Sequence, residues 1–217
     1  MKILVFGTEL NSQLAAFYLK NDTCEEFEGF FVDDEYKTDD SLSGDPIYSL
    51  SEVLNQYDLN SIKVLAPLGP KKINHTRADV YNRLKALGFN FYSYVSTKAT
   101  NFSSKIGENC FILEDNTLQP YTSIGDNVIL WSGNHVGHHS KIKDNVMITS
   151  QVVVSGRCII GENSYIGVNA TLRDGITVGS STFITMGSVV TSNTEPGYVY
   201  SGNPAEKKKI PSLKMKL

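Results

Sequence analysis

Three of the four histidines in this chain fall within one run, Gly133-Asn134-His135-Val136-Gly137-His138-His139-Ser140. Imidazole is the side chain best suited to taking and returning a proton near neutral pH, so a glycine-bounded histidine cluster is a candidate for general-base chemistry. Zinc binding is the competing chemistry. It needs ligands that converge in a tetrahedral set, and three histidines within five residues meet that geometry poorly. Decoration of a surface turn is the third reading, and the surrounding glycines argue against it. No metal is expected. The remaining histidine, His75, reads as surface.

The frame that must position these residues repeats every six. From Ile106, an aliphatic side chain recurs at Ile112, Leu118, Ile124, Leu130, Val136, Ile142, Ile148, Val154, Ile160, Ile166, Leu172, Val178, Ile184 and Val190, without an insertion. Small side chains such as Cys110, Thr122, Ser140, Cys158, Ser164, Ala170 and Ser188 sit four residues after a station, and glycine often follows one directly. A period of six matches neither a 3.6-residue helix nor a long alternating strand. It matches short strands joined by tight corners and stacked as a solenoid. The hexads resemble the hexapeptide repeat of the left-handed parallel β-helix, in which three hexads make one triangular coil.

That resemblance implies that residues eighteen apart stack in one column, about 4.8 Å from coil to coil. The column through His138 is then Pro120, His138, Gly156 and Asp174. His138 would lie beside Gly156, whose backbone can be approached closely because it has no side chain. It is two residues past the buried station Val136 and should face outward, on the surface or at a subunit groove. His135, one residue before that station, points elsewhere. A base beside an open backbone N–H is the minimum kit for acyl transfer. The base removes a proton from the nucleophile, and the N–H supports the developing oxyanion.

Residues 1–97 read differently. Strands at Lys2–Gly7, Phe27–Val32, Ile62–Leu68 and Phe89–Val95 alternate with helical patterns at about 10–19, 49–57 and 71–87, the last stopped by Gly88. Alternation of this kind implies a small parallel sheet, Rossmann-like, that binds ligands beyond the carboxyl ends of its strands. Those ends carry Gly7-Thr8-Glu9, Asp33-Asp34 and Pro67-Leu68-Gly69. No further glycine completes a G-x-G-x-x-G after Gly7, which argues against a dinucleotide. A nucleotide-sugar phosphate could still meet the N-terminus of the first helix through backbone N–H groups, with Gly7 and Thr8 as candidate substrate contacts. Asp33 or Asp34 either accepts hydrogen bonds from a base or ribose, or is a solvated strand end. Asn74 and Arg77 either face a diphosphate or form a solvated helix start. Residues 96–105 read as a polar link into an irregular first coil, which divides the chain into an α/β unit at 1–97 and an all-β unit at 98–217.

Composition narrows the partners. The net charge of −3 gives no general signal for nucleic acid, and no apolar run approaches the ~20 residues of a membrane span. The N-terminus lacks a signal-peptide layout, and the chain's three cysteines, Cys24, Cys110 and Cys158, have no paired spacing, so a cytoplasmic setting is expected.

With the N-terminal α/β unit, the hexads and the histidine motif together, the chain resembles the sialic-acid O-acetyltransferase type of hexapeptide family. Its bacterial nucleotide-sugar N-acetyltransferases act on 4-amino-4,6-dideoxy sugars for surface glycans such as O-antigen. The family motif His-acidic-x-x-Ile-Gly aligns with His138-His139-Ser140-Lys141-Ile142-Lys143. The resemblance implies His138 as base, with His139 in the catalytic pair, and Gly156 as donor to the thioester carbonyl of acetyl-CoA. It also implies Ser201-Gly202-Asn203-Pro204-Ala205 as the ending near the CoA adenine, with Asn203, Pro204 and Ala205 as cofactor contacts, and a homotrimer. His139 and Lys143 depart from the motif. The group orienting His138 is therefore open between Asp144 and an acidic residue of a neighbouring subunit. Trp131 either lines the subunit interface or packs on the surface. Lys207-Lys208-Lys209, Lys214 and Lys216 form either a solvated tail or an attraction for the CoA 3′-phosphate. Acetylation of oxygen, a simpler acceptor and a non-enzymatic scaffold are the alternatives.

Overall fold

A computed structural model describes residues 1–216 of the chain. The N-terminal unit holds β1 (Lys2–Phe6), α1 (Leu10–Asp22), β2 (Glu26–Val32), β3 (Ser41–Leu42), β4 (Asp45–Ser49), α2 (Leu50–Gln56), β5 (Ile62–Leu65) and α3 (His75–Ala86). The sheet order is β3-β4-β2-β1-β5, parallel except for the short edge strand β3. Strand β4 contains Pro46. It sits at a hairpin near the sheet edge, where a missing N–H is tolerated. Helix α2 starts at a full capping box between Ser49 and Glu52.

Two expectations at the junction need correction. The segment 89–95 is not a fourth strand of this sheet: Phe91 makes one bridge to Val64, and Tyr94–Val95 joins the following solenoid by pairing with Phe111–Ile112. The third helix begins at His75 rather than near 71. Lys72, Ile73 and Asn74 all have left-handed φ values, 52°, 50° and 64°, a conformation costing a non-glycine residue roughly 1–2 kcal/mol each. Docking holds that turn. Ile73 is fully buried against Phe183 and Val199, and Asn74 donates to the main-chain oxygens of Asn163 and Ser164.

From Tyr94 onward the chain forms three parallel sheets of two-residue strands, stacked coil on coil with partners eighteen apart, such as Ile129↔Met147 and Lys141↔Ile159. The arrangement fits the left-handed β-helix expected from the hexads. Every station from Ile112 to Val190 is at most 2 % exposed, and the small-residue positions, including Cys110 and Cys158, are fully buried. Burial pushes the Cys110 thiol up to about 12, as packing rather than reactivity requires. Residues 98–105 are not irregular. Thr100–Asn101 and Lys105–Ile106 already pair with the next coil, but the interval between Asn101 and Ile106 is one residue short of six, and Asn101 is polar.

The residue before each station points outward, and the three faces differ in character. On one face these residues are Phe111, Ile129, Met147, Tyr165 and Phe183, and the N-terminal unit covers it. Arg77 of α3 reaches into this junction, completely buried, and donates to the main-chain oxygens of Asn127 and Asn145. Lys207, Lys208 and Lys209 do not lie in a free tail. Glu206–Pro211 is a strand antiparallel to Tyr198–Ser201, with Lys207 over the Tyr198 ring and paired to Glu195 at 2.5 Å. No helix among the described residues is long and apolar enough to cross a membrane.

Candidate active site

The strand His135–Val136 ends at a corner formed by Gly137, His138, His139 and Ser140. Ser140 turns inward, where its hydroxyl donates to Ser155 O and accepts from Cys158 N–H at 3.0 Å each, tying this corner to the next coil. His139 is the left-handed residue of the corner, φ 60°, in a column with Tyr121, Arg157 and Gly175 that all share this sign. His138 and His139 are both exposed in the single chain, while His135 is half-buried within its strand.

The backbone of His138 is held on both sides. Its N–H donates to Gln119 Oε1 at 2.9 Å, and its carbonyl accepts from Arg157 N–H at 2.8 Å. Its ring lies directly over Gly156. A Cβ added there would stand 2.8 Å from Nε2 and 2.9 Å from Cε1, closer than real side-chain carbons approach. The expected column relation is therefore a close contact, and only glycine leaves room for it. Among the described residues no acceptor takes the Gly156 N–H, whereas Gly156 O is bonded to Gly175 N–H.

Within this chain Asp144 does not reach His138. Asp144 is spent on the corner after the next strand, accepting from Asp126 N–H at 2.8 Å. His138 Nδ1 instead meets His139 Nδ1 at 3.0 Å, the rings nearly perpendicular, and the His139 ring lies on Tyr121 with centroids 4.7 Å apart. Gln119 and Tyr121 were not singled out from the sequence. The signal was available, since Tyr121 precedes His139 by one full coil.

A second set of residues meets at the carboxyl ends of β1 and β2. Gly7, Thr8, Asp33, Tyr36, Lys71 and Thr76 line a cleft of about 560 Å³. Gly7 has φ 90°, and a Cβ there would crowd Ser12 and Leu68. Asp33 lies in this cleft and is held by a two-pronged pair with Arg83, 2.7 and 2.8 Å. Asp34 does not line it. Its carboxylate accepts from the Ser51 N–H and hydroxyl at the start of α2, and those bonds hold it below the usual carboxylate range. A smaller cleft shares Glu9, Leu68 and Gly69 with the first and runs to Trp131, Met147 and Tyr165 on the β-helix, so Trp131 faces the junction of the two units.

Asn74 and Arg77 are not placed as substrate ligands, since both are fully buried, and Asn74 Nδ2 and the two terminal nitrogens of Arg77 donate to β-helix carbonyls. His75 is also at this junction, 3.0 Å from Ser181 Oγ, rather than plain surface. Asn203, Pro204 and Ala205 sit at the end of the solenoid, where Ala205 N–H donates to Val189 O. Among the described residues no group of three His, Cys, Asp or Glu side chains is arranged to hold a metal ion.

Residues 121–156 match the family description "Bacterial transferase hexapeptide (six repeats)", and residues 157–192 match "Hexapeptide repeat of succinyl-transferase". No curated protein sequence matches the chain. Among solved structures, the acetyltransferase domain of PglB from Neisseria gonorrhoeae superposes with a TM-score of 0.81 at 24% identity, over 95% of this chain and 99% of that one. The same domain has also been solved with acetyl coenzyme A. A mutant of perosamine N-acetyltransferase from Caulobacter crescentus, in complex with CoA and GDP-perosamine, superposes at 0.85 with 17% identity, over 97% and 98% of the two chains. WeeI from Acinetobacter baumannii gives 0.81 at 21% identity, over 96% of this chain and all of the other. At these identities the likeness establishes a shared fold running through both units.

Proposed function

We propose that this chain, which carries transferase hexapeptide repeats, is an acetyl-CoA-dependent N-acetyltransferase acting on a nucleotide-linked amino sugar. One observation carries the reading: the His138 ring lies over Gly156, next to a backbone N–H that has no acceptor among the described residues. A proton acceptor and a fixed dipole, set side by side on a rigid corner, suit attack of an amine on a thioester. The structural relatives add support, because one is solved with acetyl coenzyme A and another with CoA and GDP-perosamine.

The acceptor's uncharged amine attacks the thioester carbonyl while His138 Nε2 takes its proton. The Gly156 N–H donates to the carbonyl oxygen as it becomes an oxyanion. Collapse of the tetrahedral intermediate breaks the carbon–sulfur bond, and the thiolate leaves and takes the proton back from His138. No covalent acyl-enzyme is required. Asn203, Pro204 and Ala205 bound the groove at the end where the CoA adenine lies.

The N-terminal unit is read as Rossmann-like and as the holder of the nucleotide, with the base or ribose near Asp33 and the phosphates near Gly7, Thr8 and the first turn of α1. Helix α1 has no side-chain cap at its start, which leaves its N–H groups free for an anion. Neither cleft includes a residue of the His138 corner. A homotrimer resolves this separation, with one copy presenting the sugar to the histidine corner of the next. Surface-glycan synthesis in a bacterial cytoplasm is the setting that suits such a product.

The test is acetyl-CoA consumption measured against UDP-, dTDP- and GDP-linked amino sugars, alongside thermal shifts with each nucleotide. Turnover with one nucleotide amino sugar supports the reading. A chain that neither binds acetyl-CoA nor consumes it with any acceptor contradicts it.

A further inference from the structure

The residue next to the base departs from the acidic pattern of the motif, and the corner supplies a substitute. His138 and His139 meet through their Nδ1 atoms at 3.0 Å. Two neutral imidazoles can share such a contact only if one Nδ1 carries the proton and the other presents its lone pair. If His139 were the donor, His138 would carry its own proton on Nε2, the atom that faces Gly156, and could not act as a base there. If His138 is the donor, Nε2 is left with a free lone pair over Gly156.

The geometry points to the second arrangement: His139 is an uncharged positioning residue that accepts the Nδ1–H of His138 and fixes it in the base-competent tautomer. Two features preset His139 for this. Its backbone is the left-handed residue of the corner, φ 60°, which directs the side chain along the corner column. Its ring is then held by Tyr121 one coil earlier, with centroids 4.7 Å apart and planes 34° from parallel. The Gln119 Oε1 bond to His138 N–H, 2.9 Å, fixes the other end of the unit. Tyr121 is thus a support for His139, although it is 69 % exposed and would otherwise read as a surface aromatic.

The chemistry differs from that of a histidine–carboxylate pair. When Nε2 takes a proton, the new positive charge is stabilised by the lone pair of a neutral ring rather than by an anion. His138 is therefore oriented by a neutral partner, with no anion beside it.

This inference rests on the acyl-transfer reading, yet its main readout does not need turnover. Long-range ¹H–¹⁵N NMR of imidazole-labelled protein reports the tautomer of each of the four histidines. The expected result is Nδ1–H for His138 and Nε2–H for His139 in the wild type. In His139→Ala, His138 should revert to the Nε2–H form preferred by free imidazole. In His139→Asn it should stay Nδ1–H, because the asparagine oxygen can take the position of Nδ1 and asparagine tolerates a left-handed backbone. In kinetics, Ala should lower kcat about ten- to a hundredfold, the equivalent of one hydrogen bond to a charged group, with KM for acetyl-CoA little changed. Asn should restore most of it. A wild-type His138 found as Nε2–H overturns the inference, as does a full kcat in the alanine variant. A wild type inactive on every nucleotide amino sugar would instead defeat the functional reading and leave the tautomer result to stand or fall alone.

Discussion

His138 Nε2 stands where a side chain on Gly156 would have to be, 2.8 Å from the ideal Cβ position. The two residues are eighteen apart in sequence and adjacent in space because one coil of the β-helix uses three hexads.

Replacing Gly156 with Ala therefore displaces the imidazole without straining the backbone, since Gly156 is not in the left-handed region. We expect kcat to fall about a hundredfold, a loss typical of misplacing one catalytic group by an ångström. The thermal midpoint should change little, because the corner is at the surface and the ring can swing outward. Steady-state kinetics and a melt on the same preparation check both parts.

Arg77 gives the opposite kind of prediction. It is completely buried, and burial without a carboxylate partner pulls its pKa below the ordinary value. Its two terminal nitrogens donate to Asn127 O and Asn145 O across the junction of the two units. Arg77→Ala should lower stability by about 2–4 kcal/mol through the cavity and the unpaired carbonyls it leaves. Nucleotide affinity of the folded fraction should be unchanged. A large rise in nucleotide Kd with normal stability would restore the anion-binding role that the sequence alone left open.

Asp22 links α1 to the start of the solenoid, accepting from the hydroxyls of Tyr94, Ser96 and Thr97 and from Thr97 N–H. The Thr97 and Tyr94 hydroxyls hold its carboxyl well below the usual carboxylate range. A carboxylate with a depressed folded pKa stabilises the fold fully above its unfolded pKa of about 4, and that contribution is lost as pH falls from there toward the folded value. Urea midpoints for the wild type should decline from about pH 5 downward. Asp22→Asn should start lower and lose less over the same interval. Parallel curves for the two proteins would show that Asp22 does not contribute.

The hexads made the solenoid, its buried stations and the His138–Gly156 contact legible, because a strict period converts sequence distance into spatial distance. What escaped notice obeys the same ruler. The outward residues Phe111, Ile129, Met147, Tyr165 and Phe183 mark the covered face, and Tyr121 marks the support for His139. The first coil was hidden by a single missing residue between Asn101 and Ile106. Asn74 and Arg77 misled for a different reason: polar side chains at a helix start look solvated or ligand-directed until another unit of the chain docks on them. Asp34 likewise resembled a ligand group, but the start of α2 uses it.

The most direct test of the whole account is turnover by His138→Ala, assayed with acetyl-CoA and whichever nucleotide amino sugar the wild type accepts. Loss of the general base should lower kcat by about 10²–10⁴, with KM for both substrates little changed and the fold intact. Near-normal turnover by this variant would contradict the assignment.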